Sequence, residues 1–375
     1  MNATITDEPW YAIKDIHTLD SPALVVYPDR VQYNIDTALK IIKDASRLRP
    51  HVKTHKTKEV ALMLQAAGIT KFKCATIAEA EMLALVKSAD VLLAYQPAGP
   101  KIARFISLLK AYPATNFSCL VDNVKSAQSL SDAAVEAAQT ISIYIDINVG
   151  MNRTGIAPNN EAVQLYGLCM QLPRLKPVGL HVYDGQINDA DFLVRSENCN
   201  ASFAPVATVQ ETLLQNNLPH PVIVAGGSAT FPIHAARNEI ECSPGTFVYW
   251  DWGYKLQLPE QPFLPAALVI TRIISMPDNR TICTDLGHKS IASENNLNKR
   301  VIFLNAPDLQ VKAHSEEHLL LEAPPDHSYH IGDVLYGLPV HICPTCALYE
   351  KAHIVEKGRI TSTWKILARD RTLTI

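Results

Sequence analysis

Short apolar runs recur along the chain, and a segment with apolar positions at helical spacing follows most of them. The runs are SPALVVY, LRPHVK, KFKCAT, DVLLAY, FSCLVDN, SIYIDIN, KPVGLHVY and PVIVAGG. Between them lie segments such as AEAEMLALVKSA, SAQSLSDAAVEAAQ and NEAVQLYGLCMQL, each with one apolar and one polar face when wound as a helix. Strands alternating with helices predict parallel pairing through crossover helices. Eight such strands close a (β/α)8 TIM-type barrel; an open doubly wound sheet is the alternative. Beyond about residue 255 the pattern changes. QPFLPAALVITRIISM, NRTICTDLG, KRVIFLNAP, GDVLYGLPVHIC and EKGRITSTWKILARDR read as short strands and turns with little helix. The predicted organisation is therefore an α/β barrel over residues 19–255 and a C-terminal mostly-β domain over residues 256–375, joined by residues 1–18.

The polar residues favour the barrel. They collect where the apolar runs end: Lys53 and Thr54, Thr76, Gln96, Asp122 and Asn123, Asn148 to Arg153, Tyr183 and Asp184, and Gly226 to Ser228. In barrel enzymes that end carries the chemistry. The second run is unusual in its interior as well. In LRPHVKTHKTKEVA, Arg49, His51 and Lys53 alternate, so a strand would aim all three in one direction. A core would want Val or Ile there. An inward lysine is costly unless it is paired or used covalently. Neighbouring cations lower a lysine's pKa, and a neutral amine forms a Schiff base; a substrate-anchoring or salt-bridged lysine is the other reading.

Composition narrows the class. With 375 residues, 47% hydrophobic and 19% charged, the chain has an ordinary globular make-up. A net charge of −3 supplies no basic field for nucleic acid. No apolar run reaches the length of a membrane span, and MNATITDEPWY lacks the apolar stretch of a signal peptide. Eight scattered cysteines without an export signal predict reduced thiols and a cytoplasmic location.

Two small-residue loops give Lys53 a context. VIVAGGSATF ends a buried strand in Gly226, Gly227 and Ser228, and CSPGTFVYWDWG stops at Gly245 and Thr246. Such loops let backbone N–H groups approach an anion, and phosphate sites commonly lie after the last strands of a barrel. A phosphate together with a lysine points to pyridoxal phosphate (PLP). In DINVGMNRTGI, Arg153 is either a partner for an anionic cofactor oxygen or a surface arginine. In LPVHICPTCALYEKAH, His341 and Cys343 share a face if the segment is a strand. Imidazole and thiolate suit a divalent ion such as zinc, and an incomplete protein ligand set leaves open positions. The alternative is a buried cysteine beside an ordinary histidine. HSEEH reads as a solvated turn.

RPHVKTHK, GMNRTGI, GGSATF, SPGTFVYWD and GLPVHICPTC, in this order, resemble the D-threonine aldolase and D-serine dehydratase family, within the alanine racemase-like, fold-type III PLP enzymes. The resemblance implies the same barrel and β domain, usually as a homodimer with its sites near the subunit interface. It implies that Lys53 is the Schiff-base lysine, that Arg153 contacts the phenolic oxygen of PLP, and that Tyr183 lies beside the ring. It implies that Gly227, Ser228, Gly245 and Thr246 hold the phosphate, and that His341 and Cys343 hold the divalent metal (Zn, Mn or Mg) that acts on the β-hydroxyl of a D-amino acid substrate. Ser243 stands where racemases of this fold carry the arginine for the pyridine nitrogen. The His-x-Cys pair resembles the dehydratase branch, so elimination is favoured over retro-aldol cleavage. A racemase, or a PLP carrier without turnover, is the rival reading; the carriers are barrel-only and need no metal pair.

Overall fold

The computed structural model describes residues 8–375. The chain forms two compact units. One comprises Asn34–Phe247 with Leu256–Pro262 and Leu367–Ile375; the other combines the described residues up to Tyr33 with Val248–Lys255 and Phe263–Ile366. In chain order the strands are β1 (Ala23–Val26), β2 (Lys71–Cys74), β3 (Asp90–Leu93), β4 (Asn116–Val121), β5 (Ile141–Ile147), β6 (Leu175–Val182), β7 (Val222–Ala225), β8 (Ile240–Cys242), β9 (Ala267–Ser275), β10 (Thr281–Thr284), β11 (Val301–Phe303), β12 (Gln310–His314), β13 (Leu319–Glu322), β14 (Val334–Pro339), β15 (Lys351–Glu356) and β16 (Arg359–Lys365).

The first unit is the parallel sheet β2-β3-β4-β5-β6-β7-β8, with helices in the crossovers. Residues 48–52 join its two ends. Leu48 bridges Cys242 of β8 and His51 bridges Lys73 of β2. Arg49 N donates to Cys242 O, and Lys73 N donates to Pro50 O, both at 2.9 Å. The predicted barrel is thus present as seven strands and one short bridging stave. Its membership differs from the expectation at one place. SPALVVY supplies β1, which pairs antiparallel with β9 and parallel with β15 in the other unit. A run buried on both faces has no alternation to reveal which sheet it joins. The missing barrel strand is β8, a three-residue Ile-Glu-Cys segment whose central charge hid it.

Some polar residues at strand ends serve the helices. Thr76 accepts from Glu79 N at 3.1 Å and Asn123 from Ser126 N at 2.9 Å, so both are N-caps. The helix Ile77–Leu85 is buried along almost its whole length. Its two glutamates, in a segment expected to be amphipathic, are internal. Glu79 pairs with Lys56 and accepts from Ala75 N, and Glu81 accepts from Thr374 N at 3.2 Å. Tertiary pairing has overridden the amphipathic pattern.

The second unit is a nine-stranded sheet ordered β12-β13-β10-β9-β1-β15-β16, with β14 on β9 and β11 on β14. Its core includes Val25, Leu268, Ile270, Leu338 and Val355. Among the described residues no helix is long and apolar enough to cross a membrane.

Candidate active site

The barrel interior is built in tiers, because every second residue of each stave points inward and each two-residue step rises about 6.6 Å. The lowest tier is apolar on one side, with Leu92, Leu120, Tyr144 and Val224 in contact. On the other side it is ionic. Buried Arg49 pairs with Glu241 at 2.7 Å and with Asp90, and Lys71 reaches the same Glu241. The charge of Arg49 is therefore spent on two carboxylates, and not on Lys53 as the strand pattern implied.

The middle tier holds His51, Lys73, Ser243, His181 and Asp146. Lys73 is fully buried, and its amine hydrogen-bonds Ser243 Oγ. Burial, reinforced by the nearby Lys53 charge, lowers the Lys73 pKa to about 7. Burial and the same two lysines hold His51 neutral, far below its ordinary range; its Nδ1 accepts from Lys53 N at 3.2 Å. Across the barrel, Asp146 Oδ1 lies 2.7 Å from His181 Nδ1. Gln96 Nε2 donates to Asp146 Oδ2 and Asp122 Oδ2, both at 2.9 Å. Burial disfavours the Asp146 carboxylate, but hydrogen bonds led by His181 outweigh it and keep its pKa low. His181 is pushed down by burial despite Asp146, so the pair is a hydrogen-bonded neutral imidazole on a carboxylate.

The top tier is the mouth. Lys53 lies in the turn just after the bridging stave, half-buried, and among the described residues no carboxylate pairs with it. Three cations surround the Tyr183 ring: Lys53 Nζ at 5.9 Å, Lys73 Nζ at 5.6 Å and the exposed Arg153 guanidinium at 5.3 Å from its centroid. The two small-residue loops are stitched together, with Thr246 N donating to Ser228 Oγ at 3.2 Å. A Cβ on Gly245 would meet His51 O at 2.8 Å, and one on Gly227 would stand 3.3 Å from the Tyr183 ring. Gly226 has φ +77°, which favours glycine. Beneath the first loop, Asp184 Oδ1 accepts from Thr230 Oγ1 and Oδ2 from His234 Nε2, each at 2.8 Å. Asp184, Cys199 and His234 form a buried metal-ligand-like group. Arg237 Nη1 stands 2.6 Å from His234 Nδ1. The imidazole is thus already held between a guanidinium and a carboxylate, and Thr230 Oγ1 goes on to receive Gly227 N at 3.3 Å. In this state the group braces the loop.

The sequence-predicted barrel residues Lys53, Arg153, Tyr183, Gly227, Ser228, Gly245 and Thr246 gather at this mouth. Lys73, Asp146 and His181 were missed. Their signal was a charged or polar residue inside an apolar run, one position before the strand's end: KFKC, YIDIN and GLHVY.

His341 and Cys343 belong to the other unit. The expected strand is not there. His341 is the N-cap of the helix Ile342–Leu348, and Cys343 is in its first turn. His341 Nδ1 pairs with Glu294. Burial opposes the imidazolium, but the hydrogen bond and charge of Cys343, with Glu294 and Asp251 behind, hold its pKa up at about 9. Buried Asp251 accepts from Ile342 N at 3.1 Å, and burial raises its carboxyl to about 6.

A parallel barrel with a lysine and two small-residue loops at its C-terminal mouth defines a phosphate-cofactor enzyme scaffold. The family model "Alanine racemase, N-terminal domain" matches residues 26–251, more than half of the chain, and "Putative serine dehydratase domain" matches residues 266–355. The chain belongs to the alanine racemase-like family of fold-type III PLP enzymes. A D-threonine aldolase of Arthrobacter sp is 26% identical over 358 residues, 94% of this chain and 93% of the relative. The solved D-threonine aldolase from Filomicrobium marinum is 25% identical with a TM-score of 0.86, covering 93% of this chain and 95% of that one. A D-threo-3-hydroxyaspartate dehydratase of Delftia sp. (strain HT23) is 27% identical over 251 residues, 62% of each chain.

Proposed function

We propose that this chain is a PLP- and divalent-metal-dependent lyase of D-3-hydroxy amino acids. One observation carries the reading: a lysine with no carboxylate partner among the described residues and an arginine converge on one tyrosine ring, and Gly227, from one of two stitched glycine loops, packs against the same ring. This donor set fits PLP. The amides of Ser228 and Gly245 suit its phosphate, those of Gly227 and Thr246 being held by Thr230 Oγ1 and Ser228 Oγ within the loops; Arg153 suits its phenolic oxygen, and Lys53 its aldehyde carbon. Filling either glycine would crowd the cradle. When bound, PLP supplies an electron sink for charge left at the substrate's α-carbon.

The residues of the chain then divide the work. Lys53 Nζ, without a counter-ion, is the base for the α-proton. Tyr183 walls one side of the space and keeps water from it. Arg153 orients an anionic oxygen at the exposed rim. His341 and Cys343 are adjacent soft donors, with a carboxylate on the imidazole, the outer partner that a metal-bound histidine usually has. They fit a zinc-like ion, and a Lewis acid of this kind would act on the β-hydroxyl.

Two outcomes follow from this machinery. Loss of hydroxide after α-proton removal gives an oxo acid and ammonia; the resemblance of the His-x-Cys pair to the dehydratase branch favours this outcome. Retro-aldol cleavage gives glycine and an aldehyde; the aldolase relatives, aligned over nearly the whole chain, favour that one. The test is the metal-loaded holoenzyme with α-deuterated D-serine, D-threonine and D-3-hydroxyaspartate and their L-isomers. Reaction of D-isomers alone is expected. Oxo acid with loss of deuterium identifies elimination, and glycine retaining deuterium identifies the aldolase. Simple inversion at the α-carbon overturns the lyase reading. The finer expectation of a cytoplasmic homodimer rests on the family resemblance and on eight cysteines that are all free thiols.

A further inference from the structure

Asp146 and His181 have no part in the reading above, yet their geometry asks for a ligand. A carboxylate only accepts, so the proton between them is on His181 Nδ1. The ring is neutral, because burial with Lys73 and Arg153 nearby outweighs the pull of Asp146. Nε2 is therefore a bare lone pair. It is buried, and among the described residues it has no hydrogen-bond partner. Leaving such an acceptor empty forfeits the hydrogen bond to water that it has in the unfolded chain. A donor from outside the chain belongs there.

The direction of that lone pair follows from the staves. His181 shares the inward parity of Tyr183, one step deeper on β6, and is side by side with Asp146 of β5 in register. Its Nδ1 faces β5, so Nε2 faces away from it into the barrel. His181 and the Tyr183 ring also share Lys73 and Arg153 as charged neighbours. The open acceptor thus lies beneath the wall that Lys53 and the phosphate loops surround. The other polar groups of this tier are engaged: Lys73 on Ser243, and His51 Nδ1 on the Lys53 amide.

We infer that His181, backed by Asp146, accepts the proton carried by the ring nitrogen of PLP. The inference rests on the reading that PLP sits on Lys53. Of the cofactor's heteroatoms, the phosphate and phenolic oxygens call for donors and the aldehyde carbon takes the lysine. The ring nitrogen alone can offer a proton to an acceptor. Asp146 strengthens Nε2 as an acceptor, and its negative charge offsets that of a protonated ring nitrogen, the form that deepens the electron sink. His181 is then a cofactor-contacting residue and Asp146 a positioning residue.

The test is ring-nitrogen 15N NMR of holoenzyme loaded with 15N-labelled PLP at neutral pH. Borohydride fixation to Lys53 in parallel confirms that the cofactor is seated. The wild type is expected to show a protonated nitrogen. His181→Leu and Asp146→Asn should lose that signal while still fixing the cofactor to Lys53. A bare nitrogen in the wild type overturns the inference, and it needs no variant to fold. A nitrogen that stays protonated in seated His181→Leu also overturns it, since water or another group then holds the proton. A wild type that fixes no PLP fails on the underlying reading, and the borohydride arm separates that case.

Discussion

Lys73→Met should stabilise the cofactor-free protein at low pH, by an amount that shrinks as pH rises. Met keeps an unbranched side chain of similar length in a fully buried slot. The wild-type lysine titrates near 7 there, against 10.5 in water. That difference corresponds to about 5 kcal/mol of unfavourable burial when the amine is charged. The sign follows from proton counting. Below pH 7 the amine is protonated in both states and the whole cost is present. Between 7 and 10.5 the unfolded chain binds more protons than the folded one, so wild-type stability rises by about 1.4 kcal/mol per pH unit. From pH 6 to pH 9 the wild type should gain about 2.5 kcal/mol relative to the variant. Ser243 Oγ loses its amine partner but keeps Gly226 O at 3.0 Å, an offset of about 1 kcal/mol at most. Urea unfolding followed by far-UV circular dichroism at the two pH values measures the difference. A gap that does not change with pH, or a variant weakest at pH 6, would refute the argument.

Arg49→Leu leaves Asp90 without an ion-pair partner and Glu241 with Lys71 alone, and should cost up to about 3–5 kcal/mol by the same urea assay; a surface-like change below about 1 kcal/mol would contradict the ionic tier. Chelation of the metal, or Cys343→Ala, should abolish lyase turnover and leave the PLP absorbance unchanged, whereas full activity without metal would revive the racemase reading.

The barrel was legible because its code is redundant: apolar runs, helical spacing between them, and a polar residue after nearly every run. The inward alternation of Arg49 and His51 was legible too, since a stave only five residues long still obeys the two-residue period, and Lys53 lies in the turn just beyond it. What failed were segments in which one cue stood alone. SPALVVY has the composition of a barrel strand and pairs in the other sheet. Ile240–Cys242 has too few residues to show a period. HICPTC alternates like a strand but folds as a helix capped by His341, and the proline within its first turn is compatible with either. The middle tier was overlooked for a different reason. The polar residues that mark the mouth follow the strand ends, whereas Lys73, Asp146 and His181 lie one residue inside them. Their partners come from neighbouring or closing staves, which local sequence does not reveal.

The central claim is that Lys53 carries PLP. Borohydride reduction of the yellow holoenzyme, followed by proteolysis and mass mapping, tests it most directly. One pyridoxyl-bearing peptide with the label on Lys53 is expected. A label on Lys73 or Lys56, or a protein that fixes no cofactor, would contradict the account.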